Sequence, residues 1–219
     1  MLRNPARPLR LGVGHRKGGT TKTTVAVYLS LALARRFTHD PVHLVDADVT
    51  NDSASTWARL AGSLWPSNLT LHTWEHDGEG LADFARRVVP ADAHLVIDTG
   101  PHAQNALADA MRLADIFLVP LRPSKMEVAS LFPTLQIAAA VYDESPFELR
   151  ALFSDSHPRT IVHREADEAL REAFDAPVPR MTTEIPHSVR YIEAFGVVPR
   201  NLGAFPDLLQ ELIEMGETR

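Results

Sequence analysis

The stretch LRLGVGHRKGGTTKTTVAVYLSLALARR, residues 9–36, decides the fold. Leu9 to Gly14 is a short apolar run that reads as a buried strand. Thr23 to Arg36 reads as a helix that is apolar on most faces. It closes on Arg35 and Arg36, which suit the negative end of its dipole. Between them lies His15-Arg-Lys-Gly-Gly-Thr-Thr-Lys-Thr-Thr24. A strand, a glycine loop, Lys-Thr and a helix form the context in which a P-loop cradles phosphate. Free N–H groups at the helix start point at an anion, and the dipole adds partial positive charge. Gly18 and Gly19 let the backbone approach phosphate oxygens. Lys22 is placed to reach the β- and γ-phosphates, and Thr23 to offer its hydroxyl to Mg²⁺. The competing account is a tight basic turn that packs a helix on a strand, and the strand–loop–helix context outweighs it.

Outward from this loop, strands and helices alternate. Apolar strands are expected at Pro41–Asp46, His94–Asp98, Ile116–Pro120 and Leu149–Ser154, with an alternating one at Leu69–Glu75. Helices are expected at Ser53–Ala61, Gly80–Val89, Gln104–Leu113, Ser124–Tyr142, Arg164–Phe174, His187–Phe195 and Phe205–Met215. Strands that read as near-continuous apolar runs are buried on both faces. The reading is therefore an α/β fold, a mostly parallel central sheet flanked by helices. With no linker or repeat in view, residues 9–219 are expected to be one domain, preceded by a basic tail over residues 1–8.

The chain has 219 residues and a net charge of −6, and it has no Cys. The missing Cys excludes a disulfide scaffold, a thiolate zinc site and a cysteine-held iron–sulfur cluster. The N-terminus has no apolar signal-peptide core and no run is long enough to span a membrane, so a cytoplasmic protein is expected. Residues 1–39 contain eight basic residues (among them Arg3, Arg7 and Arg10) and no acid, while all 28 acids follow. Only three of the 22 basic residues are Lys: Lys17, Lys22 and Lys125. Two of those three fall within the glycine loop. Lys and Arg are not interchangeable where a compact ammonium must fit among phosphate oxygens.

The loop departs from the standard G-x-x-x-x-G-K-[ST] pattern. Arg16 stands at the first Gly and Thr21 at the second, and an extra Lys17 precedes Gly18-Gly19. This arrangement resembles the deviant Walker A motif of the ParA/MinD family of P-loop ATPases. The resemblance covers about residues 9–200. It implies that Gly18, Gly19, Thr20, Thr21, Lys22, Thr23 and Thr24 bind ATP, and that Lys17 reaches across a homodimer to the partner's nucleotide. Leu44-Val-Asp-Ala-Asp48 is similar to the family's first switch, which implies that Asp46 helps hold the magnesium shell and Asp48 orients the attacking water. Leu95-Val-Ile-Asp-Thr-Gly100 is similar to a Walker B strand, with Asp98 acting on Mg²⁺ through water. Pro120-Leu-Arg-Pro-Ser124 matches the family's Pro-x-x-Pro-Ser ending. Any one strand-ending Asp could be a cap, but three in order after a P-loop are far more specific. Glu184-Ile-Pro-His187 is similar to a loop near the adenine, which implicates Ile185 and Pro186. Ser154-Asp155 stands where the family often has Asn-Arg. Thr21 is expected at ordinary negative φ with its hydroxyl free, because Gly18 and Gly19 already supply the flexible positions.

The resemblance is to short single-domain ParA proteins. It implies a weak, partner-stimulated ATPase that dimerises with ATP, binds DNA non-specifically and positions a plasmid, a chromosome region or a protein assembly. A ParB-like or other adaptor would trigger hydrolysis, and the ATP form would be nucleoid-associated. The candidate DNA contacts are Arg159, Arg164 and Arg190, with Arg180 and Arg200 behind them. An ordinary solvated Arg is an equal account of Arg190. Two alternatives stand. One is a metabolic enzyme of amidoligase type. The other is a MinD-like spatial regulator, which the acidic tail from Phe205 to Arg219 disfavours because an anionic membrane would repel it. The His residues (His39, His43, His72 and His76 among them) read as scattered surface groups rather than a metal site. Trp57, Trp65 and Trp74 read as core around the first switch.

Overall fold

The computed structural model describes residues 7–101, 103–174 and 176–217. Most of the basic tail, Arg3 included, lies outside the described residues, as does Arg219. Seven strands form one sheet: β1 (Arg10–Val13), β2 (Val42–Ala47), β3 (Leu69–Thr73), β4 (His94–Thr99), β5 (Ile116–Leu121), β6 (Glu148–Ser156) and β7 (Ile185–Pro186). Their order is β3-β2-β4-β1-β5-β6-β7 and every pairing is parallel. Strand β1 is central, and both its neighbours, β4 and β5, come much later in the chain. Ligands in open parallel sheets bind outside the carboxyl ends of the strands, where the strand order reverses.

Nine helices are described: α1 (Lys22–Arg36), α2 (Ser53–Ala61), α3 (Leu81–Val88), α4 (Gln104–Leu113), α5 (Lys125–Ala129), α6 (Phe132–Tyr142), α7 (Ile161–Glu172), α8 (Val189–Glu193) and α9 (Phe205–Glu217). On one face α1, α2 and α9 share a core with the undersides of β1 and β2, built on Tyr28, Leu29, Leu33, Trp57, Phe205 and Leu212. On the other, α3 to α7 pack around Phe117, Phe153, Leu107, Val128 and Leu170. Helix α1 is buried from Val25 to Ala34, which explains why its sequence is apolar on most faces.

Three expectations are corrected here. The single helix over 124–142 is two helices. Proline 133 has no N–H for the Ala129 carbonyl, so the helix stops and restarts with Pro133 in its first turn. The segment around Ile185 is not loop: Ile185 and Pro186 pair with Ser154 and Ser156 as the edge strand. His43 and His72 are not scattered surface groups. They sit on adjacent strands with rings stacked at 5.1 Å and Nδ1 of one 2.8 Å from Nε2 of the other. No cluster of three or more metal-binding side chains occurs among the described residues. Trp57 and Trp74 are buried as expected, in the two separate cores, while Trp65 is partly buried.

Candidate functional site

Strand β1 delivers the chain to a loop over residues 14–21, and α1 leaves from it. Glycine is needed at 14, where an added Cβ would stand 2.4 Å from the Thr99 hydroxyl. Gly19 adopts a left-handed φ of 73°, and a Cβ at Gly18 or Gly19 would meet nothing else in the protein within 4 Å. The loop is tied from inside. The Lys17 N–H donates to His15 Nδ1 at 2.7 Å, and the Lys22 ammonium donates to the Lys17 carbonyl at 3.0 Å. Burial and the neighbouring Lys22 and Lys17 charges press the His15 pKa down to about 4, so its ring is a neutral acceptor. Thr20 is buried, with its hydroxyl on the Lys17 carbonyl, and Thr23 and Thr24 are half-buried in the first turn of α1.

Thr21 corrects the expectation made for it. Its φ is 62° and its ψ 16°, so it is left-handed. Its hydroxyl is not free: it lies 2.6 Å from the Thr20 carbonyl and 2.6 Å from the Ser154 hydroxyl. The turn into α1 needs positive φ at this position whatever residue fills it. A β-branched residue there costs on the order of 1–2 kcal/mol.

Adjacent strands bring the acids together. The register sets Asp46 of β2 beside Asp98 of β4, and Asp98 beside Val13 of β1 just before the loop. Asp46 is fully occupied. It accepts from the Ser55 N–H and hydroxyl, both at 2.9 Å, and from the Asp48 N–H at 3.2 Å. Asp48 accepts from the Thr50 N–H and the Asn51 amide at 3.1 Å each, and packs so close to Gly100 that a Cβ there would sit 2.6 Å from its carboxylate. Asp98 differs from both. It is completely buried and neither carboxylate oxygen receives a hydrogen bond of normal geometry among the described residues. Burial and then the Asp46 charge push its pKa up to about 8, against the Thr23 hydroxyl and Lys22, which pull it down. Burial likewise lowers the Lys22 pKa, with Asp98 and Asp48 opposing. A buried, unpartnered carboxylate facing a hydroxyl and an ammonium fits the second shell of a divalent cation. The donor set is all oxygen, which suits Mg²⁺.

Lys17 points elsewhere. Its ammonium is 2.6 Å from Oε1 of Glu127, the buried acid of α5, and about a third of its side chain is exposed. Glu127 is fixed in turn by the Ser124 hydroxyl, which caps α5 at the Glu127 N–H. His15, Ser55, Glu127 and Ser154 carry much of this geometry, and sequence reasoning missed them as partners. The signal for Glu127 was its place three residues after Ser124, a capping-box spacing.

At the other side of the sheet, Arg159, Arg164, Arg190 and Arg200 are exposed. Arg159 follows the carboxyl end of β6 and Arg190 follows that of β7, and no ion pair holds Arg159, Arg164 or Arg190 among the described residues. Arg180 does not join them: it pairs with Asp167 at 2.6 Å and Glu184 at 3.3 Å and lies over the Phe153 ring. Ile185 is buried and Pro186 exposed. No helix among the described residues is long and apolar enough to cross a membrane.

No family model matches the chain. It is 34% identical over 175 residues to the maintenance of carboxysome distribution protein A of Gloeobacter kilaueensis, a match that spans 77% of this chain and 76% of that protein. It is 30% identical over 127 residues to a protein ParA of Rhizobium radiobacter, across 58% of this chain and 54% of that protein. Among solved structures, the septum site-determining protein MinD of Pyrococcus horikoshii, complexed with Mg-ADP, superposes with a TM-score of 0.65 at 20% identity, across 95% of each chain. The length and identity of the first match, on a parallel sheet with a deviant phosphate loop, place the chain: it belongs to the ParA/MinD family of P-loop ATPases.

Proposed function

We propose that this chain is a ParA-like ATPase that binds ATP with Mg²⁺, dimerises in that state and binds DNA without sequence preference to position a cargo. The carrying observation is the contrast between the two loop lysines. Lys22 is buried against its own loop with Asp98 and Asp48 nearby, whereas Lys17 is about a third exposed in an ion pair with Glu127. Lys22 with the N–H groups of Gly18 to Thr24 holds the β- and γ-phosphates. Magnesium, when bound, neutralises phosphate charge, and Thr23, Asp46 and Asp98 are the residues that hold it. Asp48, tethered to Thr50 and Asn51 at the start of the first switch, orients the water that attacks the γ-phosphate. Lys17 leaves Glu127 for the partner's phosphates and acts there as an arginine finger does. Ile185 and Pro186 border the base.

Arg159, Arg164 and Arg190 contact DNA phosphates from the carboxyl ends of neighbouring strands. Phosphate contacts need local positive charge, which exposed and unpaired arginines supply even on an acidic chain. The cargo is a plasmid, a chromosome region or a protein assembly. A ParB-like or other adaptor stimulates turnover, and the ATP form resides on the nucleoid of a cytoplasmic protein. The fate of α9 supports DNA over membrane as the matrix. Its apolar residues Phe205, Leu208, Leu209, Leu212 and Ile213 are buried, and Asp207, Glu211, Glu214 and Glu217 make the helix acidic.

A gel-shift series on plain duplex DNA with ATP, ADP or no nucleotide, run beside light scattering, tests this reading. A shift and a mass doubling with ATP alone are expected. A monomer that never shifts DNA in ATP would overturn the DNA-dimer reading, and turnover of a small-molecule acid by such a monomer would favour the amidoligase type.

A further inference from the structure

We propose that Ser154 is a positioning residue for the phosphate loop, its hydroxyl holding Thr21 in the left-handed conformation from which α1 departs. The inference rests on the ATP-binding reading above and adds to it a residue far along the chain. Ser154 lies on β6, is completely buried, and its hydroxyl is 2.6 Å from that of Thr21, 133 residues away in sequence. Proton counting fixes the direction of this bond. A hydroxyl has one proton, and the Thr20 carbonyl 2.6 Å from Thr21 Oγ1 can only accept. Thr21 therefore gives its proton to Thr20, and Ser154 donates to Thr21. Among the described residues no other side chain bonds the Thr21 hydroxyl.

The position of Thr21 gives this contact its consequence. Its carbonyl accepts from the Val25 N–H at 2.9 Å, so it opens the first turn of α1. Its backbone angles set where the N–H groups of Lys22 and Thr23 point. Relaxation of Thr21 to negative φ would turn the 21–22 peptide and carry the Lys22 N–H off the phosphate. A glycine needs no restraint to stay left-handed, whereas a β-branched residue does. The Ser154 hydroxyl supplies the restraint from a strand that is itself locked: Ser154 pairs with Ile185 on one side, and β6 pairs with β5 on the other. The phosphate loop is thus tied to the strand next to the Ile185–Pro186 segment, by a bond that a glycine at 21 could not make.

A double-mutant cycle tests the proposal. Titration calorimetry with Mg-ATP is run on the parent, Ser154→Ala, Thr21→Gly and the double variant. Amide hydrogen exchange at residues 21–24 is followed in the same four proteins without nucleotide. Ser154→Ala should weaken Mg-ATP binding three- to tenfold and speed exchange at Lys22 and Thr23. In the Thr21→Gly background the same substitution should change affinity less than twofold. Equal losses in both backgrounds would mean that Ser154 touches the nucleotide or supports the fold directly, and would overturn the proposal. So would unchanged exchange in Ser154→Ala. Failure of the underlying reading looks different: the parent would not bind Mg-ATP, and Lys22→Ala would match it, whatever the exchange data show.

Discussion

The carboxyl ends of β1, β2 and β4 and those of β5, β6 and β7 are both rich in charge, but they handle it in opposite ways. On the first side Lys22, Asp46, Asp48 and Asp98 are all buried, and Asp98 accepts no hydrogen bond of normal geometry among the described residues. On the second, the charges cancel within the protein. Arg122 and His187 close on Asp155 at 2.8 Å and 2.5 Å, and Arg180 and His163 close on Glu184. Two carboxylates summarise the difference. Burial raises Asp98, whereas for Asp155 the hydrogen bonds from His187 and Arg122 overcome burial and lower it. A buried charge without a partner is costly, so the first side is built for charges the chain does not contain. The ion-paired charges of the second side are finished without a ligand, unlike the exposed Arg159, Arg164 and Arg190 beside them. Substitutions of the buried first-side charges should therefore cost function and spare stability, and those of the paired second-side charges the reverse.

The largest effect is expected at Asp98. Asp98→Asn should lower Mg-dependent ATP turnover at least 100-fold, roughly 2.7 kcal/mol at the transition state. It should leave thermal stability without nucleotide equal or higher, because Asn needs neither a buried charge nor the proton that folded Asp98 must hold. The pH dependence supports the same point. Folded Asp98 keeps its proton up to about 8, whereas an unfolded Asp gives it up near 3.8. Between those limits the folded state holds more protons, so this group's contribution falls as pH rises. Thermal melts from pH 5 to 8 should show that slope in the parent and not in the variant. A variant that melts well below the parent at pH 7.5 would put Asp98 in the same class as the second side.

Lys17 comes next, because it stands between the two patterns, charged and only half satisfied. Lys17→Ala should keep Mg-ATP affinity within about threefold and lose at least tenfold in turnover, about 1.4 kcal/mol. Its ATP-dependent dimerisation should fail in light scattering. Normal turnover would mean that the Glu127 pair is the whole role of Lys17. On the second side, Arg180→Ala removes one partner of Asp167, which also pairs with Arg171, and one partner of Glu184. With both ion-pair partners largely buried, a loss of about 1–2 kcal/mol in urea unfolding is expected. Turnover and DNA retention at 50 mM to 200 mM salt (roughly the range over which phosphate contacts are lost) should not change. A DNA defect without a stability defect would return Arg180 to the interface.

How much of this was legible in the sequence follows the same division. The first side is local: strand, loop and helix are contiguous, and each acid ends an apolar run, so residue order alone places Lys22, Asp46 and Asp98. What brings Asp46 against Asp98 is parallel register between β2 and β4, and that follows from the apolar runs themselves. Apart from Arg180 and Glu184, four residues apart, the second side is assembled from separations of 13 to 33 residues, with no periodic signal to announce Arg122 beside Asp155 or Arg180 beside Asp167. Thr21 was misread for a related reason. Its conformation is imposed by the turn into α1, and its compensation comes from Ser154, far along the chain. Pro133 is the one signal in 124–142 that breaks the helix, and the apolar pattern on both sides of it masks the break.

Asp155 offers the smallest effect and the cleanest contrast. Its φ of 55° is left-handed, a conformation that Asn tolerates as well as Asp. Asp155→Asn therefore removes charge and leaves the backbone undisturbed. The folded pKa of Asp155 lies below its ordinary value, so its stabilising contribution is present above the unfolded pKa near 3.8 and is lost as pH falls through the folded value. That is the reverse of Asp98. Arg122 stands half in solvent, which screens the pair, so the loss in Asp155→Asn at pH 7 should be about 0.5 kcal/mol. It should shrink as pH falls below the unfolded value near 3.8 and the parent carboxylate takes up its proton. Matched urea titrations at pH 7 and pH 2.5 measure the difference. A gap between parent and variant that persists unchanged at pH 2.5 would show that Asp155 acts through its shape rather than its charge. The second side would then no longer be a set of charges cancelled within the protein.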